Sequence, residues 1–283
     1  MQLPSPDSPD PGGDLRYSHS MPSLAEQMSA WLRHQVAAAG SKGIVMGLSG
    51  GVDSAVVARV AQLAVGHNVL GVIMPAHSDP RDEHDARLVA DHFGLPTVTI
   101  DLSGPYDALL DEAQRSLGKA PSITTPASDG AHRMALANVK PRLRMTTLYF
   151  VANRLNYLVA GTGNRSEISI GYYTKYGDGG VDLLPLGNLV KRQVRELARE
   201  LGVPAGVIDK APSAGLWLGQ TDEGEMGFTY ADLERYLEGG GGSLDASVVA
   251  RIEQLAHVSQ HKRALPPVFV PEAPSAYAPR GDS

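Results

Sequence analysis

The 283-residue chain contains no cysteine. Without thiols, these residues cannot form disulfides, zinc–thiolate sites or iron–sulfur clusters, and they supply no cysteine nucleophile. A glutamine-hydrolysing site that uses a cysteine nucleophile is therefore excluded from this sequence. Sulfur transfer through a protein persulfide is excluded for the same reason.

The sequence also lacks a basic excess and a long apolar run. It carries 25 Lys and Arg against 31 Asp and Glu, a formal charge of −6, whereas nucleic-acid-binding domains usually carry a basic excess. No run approaches the ~20 apolar residues that a membrane helix needs. The N-terminal stretch MQLPSPDSPDPGGDL lacks the basic and apolar regions of a signal peptide. We therefore expect a cytoplasmic protein that binds neither nucleic acid nor a membrane.

Proline-rich segments flank a regular pattern of apolar runs. We expect disordered tails at 1–22 and 269–283, around one domain at 23–268. Within the domain, the pattern predicts strands at 43–48, 69–74, 98–100 and 157–160. It predicts helices at 54–65, 81–93, 133–154, 190–202, 230–238 and 247–264. Apolar strands that alternate with helices predict the α/β class, a parallel twisted sheet with helices on both faces.

The segment Ser49-Gly-Gly-Val-Asp-Ser54 lies directly between a predicted strand and a predicted helix. Its two glycines allow backbone N–H groups to approach a ligand closely. The start of the helix adds unpaired N–H groups and the positive end of the helix dipole. The segment therefore predicts a phosphate-binding loop. It is not a P-loop, because no Gly-Lys-Ser/Thr follows.

This loop resembles the pyrophosphate-binding loop of the N-type ATP pyrophosphatases, which cleave ATP between the α- and β-phosphates to adenylate an oxygen of their substrate. Further blocks are similar to the ammonia-dependent NAD synthetase family, and the resemblance extends over roughly 23–268. These blocks are 138–145, 161–167, 171–182, 185–186, 210–217, 220–223 and 261–263. The resemblance implies an adenine nucleotide α-hydrolase-like fold. The segment 206–227, rich in Gly, Pro and Ser, suits a lid over ATP.

The resemblance also implies roles for individual residues. Asp53 and Glu167 would share a Mg²⁺ ion, and Asp178 would lie near the incoming ammonia. ATP would be bound by Gly47, Leu48, Ser49, Gly50, Gly51, Val52, Asp53, Ser54, Thr162, Lys191 and Ser213. The second substrate, deamido-NAD, would be bound by Arg142, Lys175, Asp182, His261 and Lys262. The residues expected to take part in catalysis are Asp53, Lys175, Asp178 and Lys191.

The implied reaction is the ATP-dependent amidation of deamido-NAD by ammonia through an adenylate, which gives NAD, AMP and pyrophosphate. The family further implies a homodimer. Two alternatives stay open: another amidating ATP pyrophosphatase of the GMP-synthetase type, and a non-catalytic nucleotide-binding domain. An enzyme of the GMP-synthetase type would not account for the block 171–182, which argues against the first alternative. The joint presence of Asp53, Glu167, Lys175 and Lys191 argues against the second.

Overall fold

A computed structural model describes residues 21–119, 128–213, 215 and 220–270. Nearly all of the two predicted tails, and residues 214 and 216–219 of the predicted lid, lie outside the described residues. Within the described residues, the chain is already helical from Leu24 onward. It runs without regular structure from 265 to 270.

Four parallel strands form the centre of the molecule. They are β1 (Gly43–Gly47), β2 (Val69–Ile73), β3 (Thr97–Thr99) and β4 (Tyr157–Val159). Their order in the sheet is β3-β2-β1-β4, and each neighbouring pair is parallel. The predicted parallel sheet is confirmed, and every predicted strand end lies within one residue of the observed end.

Helices connect and cover the strands. The helices of the described residues are α1 (Leu24–Ala38), α2 (Val52–Val65), α3 (Pro80–Phe93), α4 (Ser103–Leu117), α5 (Asp129–Leu155), α6 (Arg165–Ile170), α7 (Lys191–Glu200), α8 (Ala205–Ile208), α9 (Asp222–Met226), α10 (Tyr230–Arg235) and α11 (Ala246–Val258). The predictions for α2, α3, α5, α7, α10 and α11 are confirmed, although α11 ends at Val258 and not at 264. The helices α1, α4, α6, α8 and α9 were not predicted. None of these helices is long and apolar enough to cross a membrane.

The alternation of side chains along β1 divides the core into two layers. Ile44 and Met46 point into a cluster with α1, α2, α3 and α7. Val45, between them, points into a second cluster with α5. All three side chains are fully buried. Because successive strand residues face opposite sides of a sheet, a strand covered on both faces must be apolar throughout.

The order of the strands creates a crevice beside β1. After β1 the chain adds β2 and β3 on one side and then returns to place β4 on the other side. The loops that leave β1 and β4 therefore diverge in opposite directions at the carboxyl ends of two neighbouring strands. Such a switch point is where open parallel sheets bind nucleotides.

Gly50 allows α3 to pack directly against the loop after β1. Its φ is +79°, a conformation that residues with a side chain rarely adopt. A Cβ atom at this position would also lie 2.4 Å from the carbonyl oxygen of Asp82 in α3. The second glycine of the loop, Gly51, has ordinary space around it. The Gly-Gly pair thus combines one glycine required for packing with one that keeps the backbone accessible.

Candidate active site

A cleft of about 600 Å³ opens at the carboxyl ends of the strands. The loop after β1, the Met74-Pro75 segment after β2 and the Gly161-Thr162 segment after β4 all contribute to its wall. Lys210 and Ser213, from the segment that follows α8, lie along the same cleft. The predicted phosphate loop therefore lies at the crevice that the strand order creates.

The loop after β1 is closed by its own serines. The buried hydroxyl of Ser54 donates to the carbonyl oxygen of Gly51 at 2.9 Å and accepts from the N–H of Ser49 at 3.2 Å. The first backbone bond of α2 runs from the N–H of Ala55 to the carbonyl of Gly51. The N–H groups of Val52, Asp53 and Ser54 therefore have no acceptor within the helix. A helix start of this kind, at the wall of a cleft, suits an anion such as phosphate.

The ammonium group of Lys191 is held between two carboxylates. Its Nζ lies 2.5 Å from Oδ2 of Asp53 and 3.5 Å from Oε1 of Glu167. The lysine side chain is only 4% exposed, and those of Asp53 and Glu167 are 16% and 18% exposed. These three residues are here called the Lys191 triad. Asp53 lies in the first turn of α2, Glu167 in the first turn of α6, and Lys191 is the first residue of α7.

Asn164 fixes the two acids relative to each other. Its Nδ2 donates to Oδ1 of Asp53 at 2.9 Å, while its Oδ1 accepts from the N–H of Glu167 at 3.1 Å. The side chain of Glu167 in turn accepts from the N–H of Asn164, which completes a capping box at the start of α6. This reciprocal arrangement satisfies the exposed donors of a helix end and locks both side chains. The fully buried Asn164 is thus central to the site, although no role was predicted for it.

Burial and charge act in opposite directions within the Lys191 triad. Burial raises the pKa of Glu167 to about 8, against the opposing charge of Lys191. Burial alone would lower the pKa of Lys191, but the charges of Asp53 and Glu167 outweigh it and raise that pKa. Lys191 is therefore a permanent cation. Glu167 keeps its proton to a higher pH than an ordinary glutamate does.

Tyr230 closes the triad from the side of α10. Its hydroxyl donates to Oδ2 of the buried Asp222 at 2.8 Å and lies 3.4 Å from Oε1 of Glu167. Its ring lies 5.3 Å from Nζ of Lys191, within the range of a cation–π contact. Both Tyr230 and Asp222 are about 4% exposed. Neither was predicted as a site residue, although Asp222 belongs to the recognised block 220–223.

A second group of polar residues lies along the cleft near the 171–182 loop. Asp178 accepts a hydrogen bond from the N–H of Thr174 at 2.8 Å. Burial among the surrounding protein atoms raises the pKa of Asp178, and the nearby charges of Lys262 and Arg144 oppose this effect. Lys262 donates from Nζ to the carbonyls of Gly171 and Tyr173 at 2.7 and 2.6 Å.

Arg144 belongs to the block 138–145, and no role was predicted for it. The structure places it on the cleft wall. Its Nε donates to the carbonyl of Met74 at 3.1 Å, and its Nη2 donates to the hydroxyl of Ser78 at 3.0 Å. Burial lowers its pKa. The signal available in the sequence was a second arginine two positions after Arg142, on a helix. Only the fold reveals which of the two turns into the cleft.

The predicted residues divide into two sets. The structure brings to the cleft Gly47, Leu48, Ser49, Gly51, Val52, Asp53, Ser54, Thr162, Glu167, Asp178, Lys191, Ser213 and Lys262. Five predicted residues lie outside its lining: Gly50, Arg142, Lys175, Asp182 and His261. The ATP set is therefore almost complete at one place, whereas most of the deamido-NAD set is not.

Three of the outlying residues form one continuous surface. Nη2 of Arg142 lies 3.5 Å from the carbonyl of Lys175, and Nζ of Lys175 donates to the carbonyl of His261 at 2.6 Å. Asp182 is different, because its carboxylate accepts from the hydroxyl of Tyr149 at 2.9 Å and from the N–H of Val159 at 2.8 Å. Asp182 thus braces the end of β4 against α5.

Comparison with known protein families identifies the family to which the chain belongs. A family model described as NAD synthase matches residues 24–266. The chain belongs to the NAD synthase family. The match spans the sheet, the cleft and all three members of the Lys191 triad.

Individual relatives agree with the family assignment. An NH₃-dependent NAD⁺ synthetase from Carboxydothermus hydrogenoformans is 52% identical over 243 residues, 86% of this chain and 95% of the relative. A solved NMN synthetase from Francisella tularensis is 37% identical, with a TM-score of 0.78 over 88% of this chain and 98% of that one. An NH₃-dependent NAD synthetase from Campylobacter jejuni is 28% identical, with a TM-score of 0.70 over 87% and 97%. The fold of the family, the adenine nucleotide α-hydrolase-like fold, is that of this chain.

The acids of the triad fit a Mg²⁺ ion that also binds phosphate. Among the described residues, no group of three or more histidine or acidic side chains is arranged to hold a metal. Asp53 and Glu167 nevertheless approach the same small volume, since both contact one Nζ atom. Mg²⁺ commonly takes one or two protein carboxylates and completes its shell with water and phosphate oxygens. The residues present therefore suit a metal that arrives with ATP, and not one held by protein alone.

Replacing Asp53 by Asn tests the Lys191 triad. We expect kcat to fall by ~10²–10³, because one charged contact of the reacting site is lost. We also expect the melting temperature to fall, because a buried cation loses its nearest partner; breaking a buried pair costs up to about 3–5 kcal/mol. The residual contact to Glu167 makes this an upper limit. Steady-state kinetics and thermal unfolding measure the two effects.

Asp107→Asn is the matched control, since Asp107 forms a half-exposed pair with His77 outside the cleft. It should change stability by less than about 1 kcal/mol and leave kcat unaltered. A wild-type kcat with unchanged dependence on Mg²⁺ in the Asp53 variant would show that the assigned role is wrong.

Proposed function

We propose that this protein is an ammonia-dependent NAD synthetase, which makes NAD, AMP and pyrophosphate from deamido-NAD, ATP and ammonia. The observation that carries the proposal is the meeting of the phosphate loop with the Lys191 triad in one cleft. The high identity to an NH₃-dependent NAD⁺ synthetase over nearly its whole length supports the same activity. The cytoplasmic location stays a prediction.

The first step joins two anions. The nicotinate carboxylate attacks the α-phosphorus of ATP, the bond to the bridging oxygen breaks, and pyrophosphate leaves. The ammonium of Lys191 and the N–H groups at the start of α2, which have no acceptor within the helix, are placed to neutralise the phosphate charge that develops. A Mg²⁺ ion held by Asp53, Glu167 and phosphate oxygens would supply further charge neutralisation for the leaving group.

The second step is the attack of ammonia on the adenylate. The nitrogen lone pair attacks the carboxyl carbon, AMP leaves, and the nitrogen must lose a proton. We assign that proton to Asp178, whose carboxylate lies in the cleft and is oriented by the N–H of Thr174. An enclosed cleft also limits hydrolysis of the reactive anhydride by water. Of the predicted lid 206–227, we propose that the segment around Ser213 covers ATP, because Val207 in α8 and Asp222 in α9 are buried and hold the two ends in place.

The far part of the dinucleotide is proposed to bind beside the cleft, across a dimer interface. Arg142, Lys175 and His261 form a continuous polar surface just outside the cleft, and Lys262 connects it with the interior. Large apolar side chains lie exposed nearby: Phe150 on α5 is 63% exposed and Tyr176 is 57% exposed. Contiguous apolar patches on a surface commonly mark an interface, and we propose that Phe150 and Tyr176 belong to one. A second copy of the chain would cover them.

The products identify the reaction. With deamido-NAD, ATP and ammonium, we expect one AMP and one pyrophosphate per NAD, because the α–β bond is the one broken. Glutamine should not replace ammonium, since these 283 residues contain no cysteine for a glutaminase nucleophile. Chromatography of nucleotides, with ammonia scavenged in the glutamine reaction, measures both outcomes. Formation of ADP and phosphate would contradict the proposal.

The same assay decides between two acid substrates. A structural neighbour with 37% identity is an NMN synthetase, so nicotinate mononucleotide is run beside deamido-NAD at equal concentration. We expect a higher kcat/KM for deamido-NAD, because a mononucleotide lacks the adenosine portion that we propose to contact Arg142, Lys175 and His261. A higher kcat/KM for nicotinate mononucleotide would retain the proposed ATP-dependent amidation but show that the mononucleotide is the preferred substrate.

Asp178→Asn tests the proton acceptor. A base must be ionised, and the raised pKa of Asp178 means that it becomes protonated at a higher pH than an ordinary aspartate. The wild-type rate should therefore decline as the pH falls through that pKa, and it should recover as the pH rises. In the variant, kcat should fall by ~10²-fold, and this part of the pH profile should disappear. An unchanged KM for ATP is the internal control. An unaltered kcat and profile would exclude Asp178 as the base.

Phe150→Glu tests the proposed dimer. In sedimentation experiments, we expect the wild type to be a dimer and the variant a monomer, because a charge is placed in an apolar interface. The KM for deamido-NAD should rise by at least about tenfold while that for ATP changes little, as expected for loss of uniform binding of one substrate. Leu63→Glu, at an exposed position of α2, is the control and should remain dimeric. A fully active monomer would contradict a shared site.

A further inference from the structure

Lys191 starts a helix, which is an unfavourable place for a cation. It is the first residue of α7, where the helix dipole is positive. The residue before it, Val190, has no side chain that can cap the helix. The direction of the Lys191 side chain therefore depends on what holds the first turn of α7. Two side chains hold the start of α7. The N–H of Lys191 donates to the hydroxyl of Ser166 at 3.3 Å, and the N–H of Val190 donates to Oε1 of Gln193 at 3.0 Å.

The third contact comes from another helix. Oε1 of Glu234, in α10, accepts a hydrogen bond from the N–H of Arg192 at 2.8 Å. Glu234 is 7% exposed, and its position is fixed because the adjacent Leu233 is fully buried. A carboxylate at the N-terminus of a helix is favoured by both hydrogen bonding and the dipole. Glu234 thus supplies to α7 the cap that Val190 cannot.

The same face of α10 also reaches the other end of Lys191. Tyr230 lies one turn before Glu234, and its ring contacts the ammonium group of Lys191 at 5.3 Å. α10 therefore holds the backbone beside Lys191 through Glu234 and the charged end of its side chain through Tyr230. The lysine is fixed at both ends by one rigid element.

We infer that Glu234 is a positioning residue for Lys191: by capping α7 at Arg192, it sets the direction from which the ammonium group enters the cleft. Glu234 itself does not line the cleft. The inference rests on the proposed function, since that function gives Lys191 its task. A displacement of about 1 Å in a reacting group can lower a rate by ~10²-fold, so a cap outside the cleft can influence turnover.

Arg192 offers a matched control. Its side chain also pairs with Glu238 at 3.0 Å, but that acid is 49% exposed and makes no bond to the backbone of α7. Glu238→Ala therefore removes a charge partner of Arg192 and leaves the cap intact. Glu234→Gln retains an acceptor oxygen of the same reach. Glu234→Ala removes the acceptor altogether.

The experiment compares these three variants in NAD synthesis with saturating ATP, at a temperature where circular dichroism shows each to be fully folded. We expect Glu234→Ala to lower kcat by at least about tenfold with an unchanged KM for deamido-NAD. Glu234→Gln should stay within about threefold of wild type, and Glu238→Ala should match wild type. A purely structural cap would lower the melting temperature of Glu234→Ala and leave its kcat unchanged below that temperature.

Should Glu234→Ala fail to fold, Glu234→Asp replaces it, because the shorter side chain draws the carboxylate away from α7. A wild-type kcat in the folded variant, or an equal loss in Glu238→Ala, would overturn the inference. Failure of the proposed function is distinguishable, because the wild-type protein itself would then form no NAD.

Discussion

The buried ammonium of Lys191 is the constraint on which the site depends. A cation that is 4% exposed is stable only beside compensating charge, and Asp53 and Glu167 provide it. To bring these three side chains together, the loop after β1, the loop after β4 and the start of α7 must end at one place. The parallel sheet and its strand order achieve this, since β1 and β4 are neighbours. The strand order therefore brings the charged side chains together, and their mutual neutralisation makes the burial of Lys191 possible.

Local pattern was sufficient to predict the sheet and the Gly-Gly turn after β1. The apolar runs at β1 and β2 and the Gly-Gly pair are signals contained in a few consecutive residues. The helix α4 was missed because none of its residues is buried, so it has no apolar stripe against a core. The six-residue α6 is too short to show a period, and it is specified by its capping box instead.

The contacts that complete the site were beyond prediction for a different reason. Asn164 and Tyr230 reach the triad from 111 residues after Asp53 and 63 residues after Glu167. No local pattern encodes such a meeting, because it is produced by the packing of α6 and α10. The family resemblance implied that Asp53 and Glu167 share a metal and that Lys191 contacts ATP. Only the structure reveals that they neutralise one another.

The charge of the triad explains why the N–H groups at the start of α2 matter for attracting phosphate. With both acids ionised, two carboxylates and one ammonium sum to one negative charge, so the triad alone does not attract a polyphosphate. Burial that raises the pKa of Glu167 to about 8 moderates this charge near neutral pH. Backbone donors at the start of α2, together with Arg144 on the cleft wall, are suited to supply the remaining attraction. The loop is therefore suited to the phosphate, while the two acids of the triad are suited to the cation that accompanies it.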